Sequence, residues 1–379
     1  MTLSQDVLSV YIPTDRRHAL ALDMALPDRM HGAALFADIS GFTPLAESLV
    51  RALGPHRGAE ELTRYLNLVY DALIAVADRF RGSVVTFAGD AITCWFDGDS
   101  GRRATACALE LQQAMVQFAH LALPSGDTIG LTLKVAVAAG PVRRFVVGDP
   151  AIQIIDVMAG VTLDRLAAAE HEAQKGEVVV CAEVVPALDD HAVVAHRADL
   201  PYAVVEHMEM SVEAVPWPPL LSDALTDAKT RPWLLLPVAE RLRSGQGEFL
   251  AELRPAVALF LRFEGIDYDA DVDAEAKLDA YIRWVQAVFT RYEGFLIELS
   301  MGDKGSYLFA AFGAPIVHDD DASRAVVAAL ALSSAPPELA YIRNVQIGIS
   351  GDRCGQARMA ARPGATTASR ETMSTWRRG

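Results

Sequence analysis

The sequence predicts an α+β fold in which one unit, helices packed on a largely antiparallel sheet, is used twice along the chain. Three observations predict it. Each half opens on an apolar run, GAALFADISGFT at 32–43 and PAVALFLRFEGID at 255–267, of the kind a strand buried on both faces requires. Each run is followed by a long helical stretch, EELTRYLNLVYDALIAVADRFRG and EAKLDAYIRWVQAVFTRYEG. In the first, Leu62, Leu66, Val69 and Leu73 recur at three- and four-residue spacing, one apolar helix face. Each helix then gives way to two strand-like runs around a tight turn, SVVTFAGDAITCWFDG and FLIELSMGDKGSYLFAAFGAP.

The remaining elements complete the repeat in order. Alanine-rich helices follow, RRATACALELQQAM and DDASRAVVAALAL, and then the strands TLKVAVAAGPV and NVQIGISGD. Each half therefore reads strand, helix, strand, turn, strand, helix, strand. Between them, roughly 190–252 is rich in proline and acidic residues and contains VPWPPLLSDALTDAKTRPWLLLP. This reads as a connector with some strand and helix of its own, and as a domain junction.

Composition bounds the function. The chain has 379 residues, 51% of them hydrophobic, which is ample for two cores. A net charge of −15 argues against a general binder of nucleic acid or anionic membrane. A nucleotide remains compatible with that charge if a cation stands between the two. Cys94, Cys107, Cys181 and Cys354 are scattered without a CxxC, which points to a reducing compartment and against a structural zinc site. No run is long and apolar enough for a membrane span, and the N-terminus lacks a signal peptide's apolar core, so the chain reads as cytoplasmic.

The chemistry gathers at two aspartates. Asp38 ends the first strand, and DISGFTP then turns abruptly into a helix, with Gly41 for the turn, Thr43 as N-cap and Pro44 at the first helical position. Free N–H groups at a helix start bind phosphate, and a carboxylate beside them requires a bridging cation. Asp90 lies in FAGDAI, at the tip of the first hairpin. If the two strands are neighbours, Asp38 and Asp90 meet at one end of the sheet. Two carboxylates with a carbonyl such as that of Ile39 suit magnesium or manganese. Singly, each Asp is better read as a cap or a turn residue; together the two contexts favour metal.

FADISGFT, RGAEEL and FAGDA resemble the first catalytic domain of the class III adenylate/guanylate cyclases, in particular the soluble, bicarbonate-responsive adenylyl cyclase group with tandem catalytic domains. The resemblance runs from about Leu26 to Ile349. It implies two ferredoxin-like, palm-type cyclase homology domains in tandem, forming an intramolecular pseudo-dimer with the second incomplete. It implies two Mg2+ or Mn2+ ions on Asp38, Asp90 and the Ile39 carbonyl, with Asp38 and Asp90 the catalytic pair. Gly41, Phe42 and Thr43 would lie against the phosphates of a nucleoside triphosphate, ATP with GTP as the alternative. The 3′-hydroxyl would attack the α-phosphorus and release pyrophosphate. The expected boundaries are an N-terminal segment at 1–29, a metal-binding domain at 30–189, a connector at 190–252, a truncated second domain at 253–350 and an aberrant tail at 351–379.

The second half departs from this pattern. Aligning ALFADISGF with ALFLRFEGI puts Arg262 where Asp38 stands, so no second metal pair is expected, and Asp303 reads as a turn residue. At the position where the adenylyl branch carries a base-recognising lysine stands Glu298, an acceptor that suits guanine, as in the guanylyl branch, or simply faces solvent. Of the resemblance's bicarbonate pair, the lysine position is Thr86, while Arg165 matches the arginine as a candidate regulatory anion contact; bicarbonate activation is not expected.

The family's Asn-x-x-x-Arg is absent after Ser350. Reading GDRCGQARMAARPGATTASRETMSTWRRG two bases on permits a string ending GDDVNLAAR, which resembles that missing end. The expectation is a frameshift near Ser350 and low cyclase activity in the chain as written. A catalytically silent nucleotide-binding module is the second reading.

Overall fold

The structure is a computed structural model, and it describes residues 6–123, 126–189, 192–196, 200–209, 212–221, 224–244, 254–302, 305–351, 356–359 and 366–367. An N-terminal helix, α1 (Thr14–Ala21), precedes the first unit. That unit runs β1 (Arg29–Ser40), α2 (Phe42–Leu53), α3 (Pro55–Arg79), β2 (Ser83–Ala88), β3 (Ala91–Asp97), α4 (Arg102–Met115) and a long β4 (Thr132–Val147). It continues through β5 (Ile155–Ala159), α5 (Val161–Glu172), β6 (Val178–Cys181), β7 (Ala192–His196) and β8 (Tyr202–Met208).

The sheet order is β2-β3-β1-β4-β6-β8-β7, with β5 folded back on β4. β4 and β6 are parallel and the other neighbours antiparallel. β1 is buried on both faces, as its apolar run requires. Leu35 and Ile39 join the core under α3 and α4, and Ala34 joins a second cluster with Leu166 and Ala169 of α5.

The helix start differs from the sequence expectation. Gly41, not Thr43, is the N-cap residue, in the left-handed conformation at φ 107°, and the helix begins at Phe42. The cause is packing: the Phe42 ring is drawn into the core, and Gly41 passes so close to the Gly130 carbonyl that a Cβ would lie 2.7 Å from its oxygen. The helical stretch between β1 and β2 is also broken at Gly54–Pro55, giving two helices.

The second unit repeats the order: α6 (Leu236–Arg243), then β9 (Val257–Glu264), α7 (Ala274–Arg291), β10 (Phe295–Gly302), β11 (Gly305–Phe312), α8 (Asp321–Leu332) and β12 (Arg343–Ser350). Its sheet is β10-β11-β9-β12, all antiparallel. The repeat holds residue by residue. Asp38 stands opposite Ala91 and Lys134, and Arg262 opposite Tyr307 and Gln346. Both hairpins carry an irregularity at one place, between Val84 and Thr86 and between Leu296 and Glu298. α3 and α7 both end in a residue at positive φ followed by glycine, Arg81-Gly82 and Glu293-Gly294. Thr86 therefore corresponds to Glu298, and Tyr70 to Ile282.

The two units share apolar surface. Phe145, Val147, Val157 and Ala159, at the far ends of β4 and β5, belong to one buried cluster with Leu278, Tyr281 and Val285 of α7. Gln286 accepts from the Asp149 N–H at 2.7 Å and donates to the Gln153 carbonyl at 2.7 Å. Within 190–252, β7 and β8 extend the first sheet, and α6 contributes Val238, Ala239 and Leu242 to a cluster with Leu8 that packs on Phe295 and Ile297 of β10. Most of 351–379 lies outside the described residues.

Candidate active site

β1 brings Asp38 to the end of the sheet, 7% exposed. The adjacent β2–β3 hairpin turns through Gly89 at φ 65° and Asp90, and the Ile39 N–H donates to the Asp90 carbonyl at 3.0 Å. That bond ties the hairpin tip to the strand carrying Asp38, so residues far apart in sequence become neighbours. Tyr70 of α3, 1% exposed, donates its hydroxyl to the Gly89 carbonyl at 2.7 Å. Burial, and then the Asp90 and Asp38 carboxylates, push the phenol's pKa far up.

The site also holds a cation that sequence reasoning missed. Lys134 of β4 places Nζ 3.4 Å from Asp38 Oδ2 and pairs more closely with Glu170 of α5. Glu170 is 6% exposed. The available signal was a lone lysine in the apolar run TLKVAVAAG. Among the described residues no group of three or more His, Cys, Asp or Glu side chains gathers as a metal cluster. Two carboxylates and a carbonyl would supply hard oxygen donors, the chemistry of an ion that completes its coordination with phosphate and water.

Gly41, Phe42 and Thr43 form the first turn of α2 directly after β1, with Phe42 buried and Gly41 and Thr43 half-buried. A cavity of about 810 Å3 opens between the two sheets, lined by Thr86, Ala88 and Glu170 on one side and Arg262, Ser300 and Gln346 on the other. Glu298 is half-buried on β10 and accepts from the Ser300 hydroxyl at 2.6 Å. Desolvation raises its carboxyl above the usual range, against the opposing pull of that hydrogen bond. Arg262 faces the cavity and donates to Glu264 at 2.5 Å, so a guanidinium occupies the place that the Asp38 carboxylate has in the first unit. Arg165 lies apart, 40% exposed and paired with Glu183 at 3.0 Å. Asp303 falls outside the described residues.

Residues 30–214, which hold the strand-end aspartate, the hairpin aspartate and the helix start beside them, match the family described as "Adenylate and Guanylate cyclase catalytic domain". This part of the chain is similar to the class III cyclase catalytic domains. Across both units the chain is similar to Adenylate cyclase type 10 of Homo sapiens, 24% identical over 361 residues, covering 85% of this chain and 22% of that protein. The protein of the same name from Oryctolagus cuniculus is 22% identical over 353 residues, with the same coverage. The chain thus spans about a fifth of the length of these relatives. Among solved structures, the adenylyl cyclase CyaB from P. aeruginosa superposes with a TM-score of 0.39 at 19% identity, over 47% of this chain and 95% of that one. No described helix is long and apolar enough to cross a membrane.

Proposed function

We propose that the chain is a nucleotidyl cyclase that converts a nucleoside triphosphate, ATP in the first reading, to its 3′,5′-cyclic monophosphate and pyrophosphate. The observation that carries this is the hairpin tip bearing Asp90 tied to the strand bearing Asp38, through the Ile39 N–H and the Asp90 carbonyl at 3.0 Å, beside the start of α2. Asp38, Asp90 and the Ile39 carbonyl would hold two Mg2+ or Mn2+ ions. When bound, the ions would supply activation of the ribose 3′-hydroxyl and neutralisation of the triphosphate's charge.

The chain's own groups do the rest. The N–H groups at the first turn of α2, from Gly41 to Thr43, offer donors to phosphate oxygens. Lys134 balances Asp38 and Glu170 and is within side-chain reach of the same carboxylate, so a triphosphate arriving there meets an ammonium already in place. The two sheets act as an intramolecular pseudo-dimer, with the acidic pair on one unit and base selection on the other. Arg262 makes the second unit a partner and not a second metal site.

Glu298 favours one alternative, guanylate cyclase. An ionised carboxylate accepts hydrogen bonds, which matches the ring N–H and amino group of guanine and leaves adenine's ring acceptor unserved. The expected loss of activity rests on the tail, most of which lies outside the described residues.

The test is production of cyclic AMP and cyclic GMP from ATP and GTP with Mn2+. Product from either triphosphate, lost in Asp38→Asn and Asp90→Asn variants that keep the wild-type melting temperature, supports the reading. No product from either, or product that survives both substitutions, overturns it.

A further inference from the structure

The repeat supplies an internal control for one residue of the acidic site. Tyr70 and Ile282 occupy the same place, on α3 and α7, counted from the matching Arg81-Gly82 and Glu293-Gly294 ends. Both are fully buried, at 1% and 0% exposure, and both pack in their unit's core. Packing therefore needs an apolar body at this position and does not need a hydroxyl. The hydroxyl appears in the unit that carries the aspartate pair, and it is replaced by a methyl-bearing chain in the unit where Arg262 takes the place of Asp38.

Burying a phenolic O–H costs free energy unless it is hydrogen-bonded. Tyr70 meets that cost by donating to the Gly89 carbonyl at 2.7 Å, the residue before Asp90 in the hairpin turn. Its ring is held edge-on to Phe87 of the same hairpin, with centroids 5.5 Å apart and planes at 89°. The ring and hydroxyl thus fix the strand and turn that deliver Asp90, from a helix that belongs to the rigid core.

We propose that Tyr70 is a positioning residue for the metal-binding aspartates: its hydroxyl pins the Gly89-Asp90 turn so that Asp90 is held beside Asp38 before a cation arrives. This rests on the metal reading of the site given above. Preorganised carboxylates bind a divalent ion more tightly than the same carboxylates on a loose turn, because the turn's ordering is not charged against binding.

The experiment measures Mn2+ binding to the whole chain, without nucleotide, from the electron paramagnetic resonance signal of free Mn2+, alongside the melting temperature of each metal-free protein. The proteins are wild type, Asp38→Asn, Tyr70→Phe and Tyr70→Ile. Tyr70→Phe removes only the hydroxyl and is expected to weaken Mn2+ binding about threefold to tenfold, the scale of one lost hydrogen bond, with an unchanged melting temperature. Tyr70→Ile copies the second unit and is expected to weaken binding at least as much. Wild-type affinity in Tyr70→Phe while Asp38→Asn loses binding overturns the positioning role and leaves the metal site standing. Equal affinity in wild type and Asp38→Asn overturns the metal reading and this proposal with it. A melting temperature that falls in step with affinity in Tyr70→Phe also overturns the proposal, since it assigns the hydroxyl to general stability.

Discussion

Glu298 and Thr86 occupy the same place in the repeat, and Glu298 is the residue proposed to select the base. Glu298 sits beside Ser300, which lines the cavity between the sheets, and burial raises its carboxyl pKa. A lysine there would donate where the glutamate accepts. Glu298→Lys is expected to move the ratio of cyclic AMP to cyclic GMP formed toward cyclic AMP by about tenfold or more, read in a competition between ATP and GTP. At the same scale, Asp38→Asn or Asp90→Asn is expected to lower Mn2+-dependent turnover by at least about a hundredfold, since several kcal/mol of charge stabilisation depends on the pair. The aspartates were legible in the sequence because each carries a local signature, a strand end and a Gly-Asp turn. Tyr70 and Lys134 were not, because Tyr70 stands in an ordinary helical stripe and Lys134 pairs with Glu170 across a separation of 36 residues.

Among the elements, the junction of β1 and α2 bears the tightest backbone requirement. Gly41 combines φ 107° with a carbonyl where a Cβ would go. Gly41→Ala is expected to cost about 1–3 kcal/mol, measured by denaturant unfolding, and to displace the first turn of α2 from the phosphate position. The sequence pattern placed this turn and its helix but put the cap two residues late, because Thr43 and Pro44 are better local cap signals than Gly41-Phe42. Burial of Phe42 overrode those signals. The β4–β5 hairpin shows the same limit at larger size. TLKVAVAAGPV reads as a strand, yet nothing in it says that Phe145 and Val147 leave their own unit's core and enter the other's.

For the whole molecule, the N-terminal helix is held by a buried charge network. Arg144 pairs with Asp15 and Asp156, and Arg16 reaches Asp156 at 2.9 Å. Burial alone would raise the Asp156 carboxyl, but Arg144 and Arg16 outweigh it and hold its pKa below the usual range. A depressed carboxylate contributes stability that is present above its unfolded pKa and lost as pH falls through its folded one. The network's contribution is therefore expected to be full near neutral pH and to fade below about pH 4, seen as a falling melting temperature. Asp156→Asn should cost about 3–5 kcal/mol near neutral pH, because it strips one partner from a fully buried Arg144, and should flatten that acid dependence. A second long-range clasp joins the connector to the first unit, where Trp217 stacks on His18 at 4.9 Å and donates to the Gly82 carbonyl at 2.9 Å.

By itself the sequence determined the doubled strand–helix order, the Asp38–Asp90 pair and the substitution of Arg262 for Asp38. Each of these is written in residues adjacent along the chain, as periodicity, turn chemistry or alignment of the halves. The tertiary structure decided which distant groups share that site: Tyr70 under the hairpin, Lys134 between Asp38 and Glu170, and the far end of β4 inside the second unit's core. Those contacts join strands and helices tens of residues apart, and local pattern carries no term for what folding brings alongside.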